Sequence, residues 1–176
     1  MSNIFRHLYD YLALDPLLVG TQSLPPSGPF SGVLTGGLWR RPIKRPADPA
    51  APSAGSTPAA FGDNGLEVGR LRYVATMLDE GERPHIQELA IPTAAVIEFW
   101  LTFYAPAHDA GKQAIFNAQE RVYDLLRDYR FTTDHGPLAR VYYLGNNGIT
   151  DSEEFIGGVT DYCRYSVIYR KREALE

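Results

Sequence analysis

The sequence predicts an α+β fold: an antiparallel sheet of about four to five strands, two helices packed on one face of it, and a long Pro/Gly/Ala-rich insertion. Three observations carry this. Residues 93 to 106 and 161 to 170 alternate in the way sheet strands do, and residues 112 to 129 place apolar side chains at helical spacing. At 176 residues, 44% of them hydrophobic, the chain is long enough for one core, so residues 1–176 read as a single domain.

The elements follow in order. Ser2 can cap a first helix in which Ile4, Leu8 and Leu12, with Phe5 alongside, share a face, and Asp15-Pro16 ends it. Leu17-Leu18-Val19 is a short apolar run, and Pro25-Pro26-Ser27-Gly28-Pro29 cannot be regular structure. Residues 20–62 read as an extended insertion, with a short strand between Val33 and Ile43 weakened by Gly36-Gly37. Within it, residues 46–60 are of low complexity: they contain no aromatic, Leu, Ile or Val, and so bring almost nothing to a core.

Leu66 to Leu78 reads as a strand, with Asp79-Glu80-Gly81-Glu82 as its turn. In the next strand Ile97, Phe99, Leu101 and Phe103 share one face and Val96, Glu98, Trp100, Thr102 and Tyr104 the other, until Pro106 stops it. The second helix, Lys112 to Tyr129, carries the stripe Ile115, Ala118, Val122, Leu125, Leu126 and Tyr129. Leu138 to Leu144 is another strand, Gly145-Asn146-Asn147-Gly148 turns, and an acidic loop with Asp151, Glu153 and Glu154 leads into the last strand. There Cys163, Tyr165, Val167 and Tyr169 face one way and Arg164, Ser166, Arg170 and Arg172 the other.

The net charge of −4 argues against a nucleic-acid binder that relies on a basic surface. Of 17 basic residues only Lys44, Lys112 and Lys171 are lysines, and arginine is the basic residue enriched at protein interfaces. The N-terminal residues lack a charged segment followed by an apolar run, and no stretch approaches the roughly 18 apolar residues of a membrane span, so a soluble protein made in the cytoplasm is expected.

Catalytic chemistry finds little support. His7, His85, His108 and His135 have no i, i+4 pairing and no neighbouring Cys, so no metal site is expected. Gly36-Gly37 and Gly157-Gly158 lack the Lys-Ser/Thr of a phosphate-cradling loop. The lone Cys163 reads as a small buried hydrophobe, and Asp134-His135 as a polar turn before Gly136-Pro137 rather than half of an acid/base pair. No enzyme, no cofactor and no metal is therefore the expectation. The surface residues instead suggest protein contacts, with Arg40, Arg41, Trp100, Tyr104, Asp151, Glu153, Glu154, Arg164 and Arg170 as the candidate interface set.

With that order of elements, the chain resembles the tail terminator (tail completion) proteins of long-tailed, lambda-like bacteriophages. The matching pieces are the helix at Ile4-Phe5-Arg6-His7-Leu8, the strand Val96 to Pro106, the helix Ala118 to Leu126 and the strand Arg164 to Tyr169. Residues 20 to 62 depart from the family's pattern. The resemblance implies a homohexameric ring on the head-proximal end of the tail tube that stops tube polymerisation and joins the tail to the head-completion proteins. Its partners would be itself, the tail tube protein and a neck protein, with DNA only passing through the lumen and no membrane involved. It implies localisation to the virion neck after assembly in the host cytoplasm. Residues 46–60 could span about 45 Å as polyproline, enough to reach an adjacent subunit. Another neck protein, a tail tube subunit and, from a different class, a small enzyme or ligand-binding domain are the alternatives.

Overall fold

A computed structural model describes residues 3–23, 29–40, 73–84, 94–133, 136–153 and 157–170. The described elements run α1 (Asn3–Ala13), β1 (Gly37–Trp39), β2 (Val74–Pro84), β3 (Ala94–Pro106), α2 (Asp109–Leu126), β4 (Arg130–Thr133), β5 (Gly136–Asn146), β6 (Thr150–Asp151) and β7 (Gly158–Arg170). The fold is α+β. Its sheet has seven strands in the order β1-β2-β3-β7-β5-β4, with β6 also on β7, and is mostly antiparallel and curled.

The centre is the pair β3 and β7, each thirteen residues long and in register from Ala94↔Arg170 to Pro106↔Gly158. Alternation dictates the pairing: Ile97 meets Val167, Phe99 meets Tyr165 and Leu101 meets Cys163, all of them buried. The Phe99 and Tyr165 rings stack at 5.3 Å. Ala75 and Met77 of β2 and Val141 of β5 extend the same face, and the apolar stripes of both helices join it in one cluster. On α2 that stripe is Ile115, Ala118, Val122 and Leu126.

Several expectations are corrected. The sheet has seven strands rather than four to five, because β4 and β6 are too short to show an alternating pattern. One contact, β1 with β2, is parallel. Residues 79 to 82 do not turn: β2 continues to Pro84, and three steps along β2 oppose two along β3, so a one-residue bulge absorbs the polar run. Helix α2 begins three residues before Lys112, since His108 acts as its N-cap, with its Nδ1 accepting from the Gly111 N–H at 2.9 Å. It ends at Leu126, so Tyr129 lies beyond it. Gly145-Asn146 belongs to β5, which bulges between Tyr143 and Gly145, and the acidic segment contains β6 paired to β7. Residues 29–40, within the expected 20–62 insertion, contribute to the core. Leu34 and Leu38 are buried, and Gly32, Val33 and Leu34 donate their N–H groups to Val19, Leu17 and Leu18. The cap Ser2, the segments 41–72 (with 46–60 and the start of the expected 66–78 strand) and 134–135 fall outside the described residues.

Helix α1 is held by polar and aromatic contacts from both ends of the sheet. Tyr9 donates its hydroxyl to the Leu38 carbonyl at 2.6 Å, while Tyr11 stacks on Tyr129 at 4.1 Å and His7 on Phe131 at 4.6 Å. Past its C-terminus, Asp15 is 7% exposed and fully engaged. Its Oδ1 accepts from the Leu17 and Leu18 N–H groups at 3.1 and 2.7 Å and from Arg121 Nε at 3.1 Å, and Arg121 Nη2 reaches Oδ2 at 2.6 Å. The Arg121 guanidinium, with these backbone donors, holds the Asp15 carboxyl below its ordinary value.

A carboxyl with a lowered folded pKa stabilises the fold at pH above its unfolded value, and that contribution disappears as pH falls through the folded one. Acid unfolding is therefore expected to include a loss beginning below about pH 4, the ordinary Asp value. Asp15→Asn should be less stable than the parent at pH 7, with the gap closing towards pH 2. Parallel urea titrations of the two proteins at both pH values test this, and a gap that is constant with pH would refute it.

Candidate functional site

Two surfaces gather the chemistry of the described residues. The first is on the sheet face opposite the helices. Register sets Trp100 opposite Arg164 and Glu98 opposite Ser166, so Arg164 lies between an indole and a carboxylate. Its Nη2 pairs with Glu98 Oε2, and its guanidinium sits 5.2 Å from the Trp100 ring. Tyr162 approaches Trp100 at 4.8 Å in a tilted arrangement. This group is half-buried, with one polar end open to solvent.

The second lies along one edge of β7. The other edge of β7 is occupied by β3 over its full length, so β5 and β6 lie end to end on this edge. β4 covers β5 only from Gly136 to Arg140, and Val141 N–H still reaches the Tyr129 carbonyl at 3.4 Å. Beyond Val141, β5 has no further strand beside it among the described residues, and alternation directs the Tyr143 backbone N–H and C=O outwards. Tyr142, Tyr143 and Leu144 are 38%, 43% and 48% exposed there.

A cavity of about 250 Å³ sits between this edge and the C-terminus of α2, lined by Tyr123, Arg127, Asp128, Arg140, Tyr143 and Tyr165 among others. Arg127 caps α2, and Asp128 takes the left-handed conformation (φ 57°) that Asp tolerates, which turns the chain back towards β4. Arg140 Nη2 pairs with Asp128 Oδ1 at 3.0 Å and stacks on Tyr142, while the Tyr123 ring meets Tyr143 edge-on at 5.5 Å. Tyr165 is 1% exposed and its hydroxyl has no hydrogen-bond partner among the described residues. Burial raises its pKa.

The expected interface residues separate into these and other places. Trp100 and Arg164 come together. Arg40 is exposed beside α1, its guanidinium 4.8 Å from the Tyr9 ring. Asp151 and Glu153 are exposed at the β6 end of the sheet edge. Arg170 pairs with Ala94 at the far end of β7. Tyr104 is a correction: it is 6% exposed, because side-chain parity sets its face but not how far a curled sheet covers that face. Arg41 and Glu154 lie outside the described residues. The sequence reading missed Arg127, Asp128, Arg140 and the cavity role of Tyr165. The run Arg127-Asp128-Tyr129 after a helical stripe was the available signal for a polar turn.

Cys163 is buried as expected, and desolvation with the nearby Asp161 carboxylate pushes its thiol up to about 12, which keeps it protonated. Asp161 is 1% exposed and accepts from Gln119 Nε2 and the Tyr162 N–H, both at 2.7 Å, which ties α2 to β7. Among the described residues no three His, Cys, Asp or Glu side chains converge as a metal site would require, and no helix is long and apolar enough to cross a membrane. No protein-family model matches the chain, and no curated protein is significantly similar to it.

Proposed function

We propose that this chain is a structural protein of a bacteriophage virion: the subunit of a hexameric ring that caps the head-proximal end of the tail tube, stops tube polymerisation and joins the tail to the neck. Its activity would lie in its surfaces rather than in a reaction. The observation that carries the reading is the edge of β5 beyond Val141, where backbone with no strand beside it on that side among the described residues coincides with exposed Tyr142, Tyr143 and Leu144. Unpaired strand edges template association, and aromatic residues are enriched where proteins meet. The Trp100–Arg164–Glu98 group supplies a second surface, suited to a tube or neck partner. The resemblance to tail terminators read from the sequence supports the same reading, as does a net charge of −4, which lets DNA pass through a lumen without being gripped.

A ring of identical subunits repeats one heterologous contact that closes on itself. Native mass spectrometry of the purified protein should therefore show six copies, and electron microscopy a ring with a central hole. A monomer at high micromolar concentration, with no ring in the assembled particle, would refute the proposal. The 250 Å³ cavity favours the ligand-binding reading in that event.

A further inference from the structure

Opposite charges occupy the two ends of one sheet edge. Arg140 pairs with Ile168 of β7 and Asp151 with Val159, so nine residue steps along β7 separate them, about 30 Å at the rise of a strand. At one end Arg127 and Arg140 border the cavity, and only Arg140 has an acidic partner among the described residues. At the other, Asp151 and Glu153 are exposed and meet no basic side chain among those residues. They are too far apart to neutralise each other within one chain. A head-to-tail arrangement of two copies would bring them together.

We infer that the cleft between the C-terminus of α2 and the open edge of β5 receives the Asp151–Glu153 segment of a second copy of this chain, an acidic side chain entering the cavity that Tyr165 lines. This rests on the ring reading above and names the contact that builds the ring. Three features agree with it. The contact joins two different patches of the same surface, which is the heterologous geometry a ring requires. The incoming segment finds outward Tyr143 backbone groups to pair with and Tyr142 and Leu144 to cover. The Tyr165 hydroxyl, buried without a partner among the described residues, gains a carboxylate acceptor.

The test is charge reversal in the full chain, read by native mass spectrometry and sedimentation. Arg127→Glu/Arg140→Glu, and separately Asp151→Arg/Glu153→Arg, should each weaken association by about tenfold or more while leaving the monomer's circular dichroism unchanged. Combining all four substitutions should restore rings, because the charges are then exchanged rather than lost. Tyr165→Phe should melt no lower than the parent as a monomer, since it deletes an unpaired hydroxyl, yet associate several-fold more weakly. A wild-type ring that survives both reversals would overturn this contact while leaving the ring reading standing. A wild-type chain that stays monomeric throughout would overturn the ring itself. Failure of the fourfold variant to recover, or association unaffected by Tyr165→Phe, would also count against the assignment.

Discussion

Phe99→Ala is expected to destabilise the protein by about 3–5 kcal/mol, the range for emptying a large aromatic site that cannot collapse. Phe99 has no exposed surface and lies on β3, the strand flanked by β2 on one side and β7 on the other. Its ring stacks on Tyr165, which is itself 1% exposed, so the void would open between two central strands whose backbones are fixed by register on both sides. Chemical denaturation should show a lower midpoint with an unchanged slope. Leu125→Ala makes the internal comparison. Leu125 belongs to the helical stripe but is only partly buried, and should cost about 1–2 kcal/mol, below the range for a fully buried leucine. Equal losses at the two positions would refute this account of the core.

Arg121→Ala is expected to cost about 2–4 kcal/mol. Removing the guanidinium leaves the Asp15 carboxylate, 7% exposed, with backbone donors alone. Breaking a fully buried ion pair costs about 3–5 kcal/mol, and the side chain of Arg121 keeps 31% of its exposure, so the lower figure applies. Arg121→Lys should recover less than half of the loss, since one ammonium cannot reproduce two parallel N–H···O bonds. The check is thermal unfolding at pH 7 beside the double variant Asp15→Asn/Arg121→Ala. If the double variant is no more stable than Arg121→Ala alone, the penalty does not come from the stranded charge.

Local pattern made the centre of the fold legible and its margins opaque. Strict alternation over long stretches assigned the buried faces of β3 and β7: Ile97, Phe99, Leu101, Phe103, Cys163, Tyr165 and Val167 are all buried, while the side chain of Tyr169 lies outside what is described. Short elements cannot carry such a pattern, so β4 and β6 went unseen. The start of α2 was misplaced because His108, an uncommon cap, supplies the first turn's acceptor. The parallel contact of β1 with β2 joins residues 37 to 39 with 74 to 76, and no local signal encodes that choice of partner. The same holds for the candidate sites. Trp100 and Arg164 were singled out separately, and only the register of β3 against β7 sets them opposite each other. The cavity is lined in part by Tyr165, a residue on a face that the sequence marks simply as dry.

The position of β7 bears on how the protein is made. It is the last described strand in the chain, yet it lies in the interior of the sheet, between β3 and β5. Until it leaves the ribosome, β1-β2-β3 and β4-β5 are separate fragments, each with a bare inner edge. Domains built on such distant pairings fold slowly and pass through sticky intermediates. The nascent chain is thus most vulnerable to aggregation before β7 emerges, and nearly all of the sheet's cooperativity arrives with that strand.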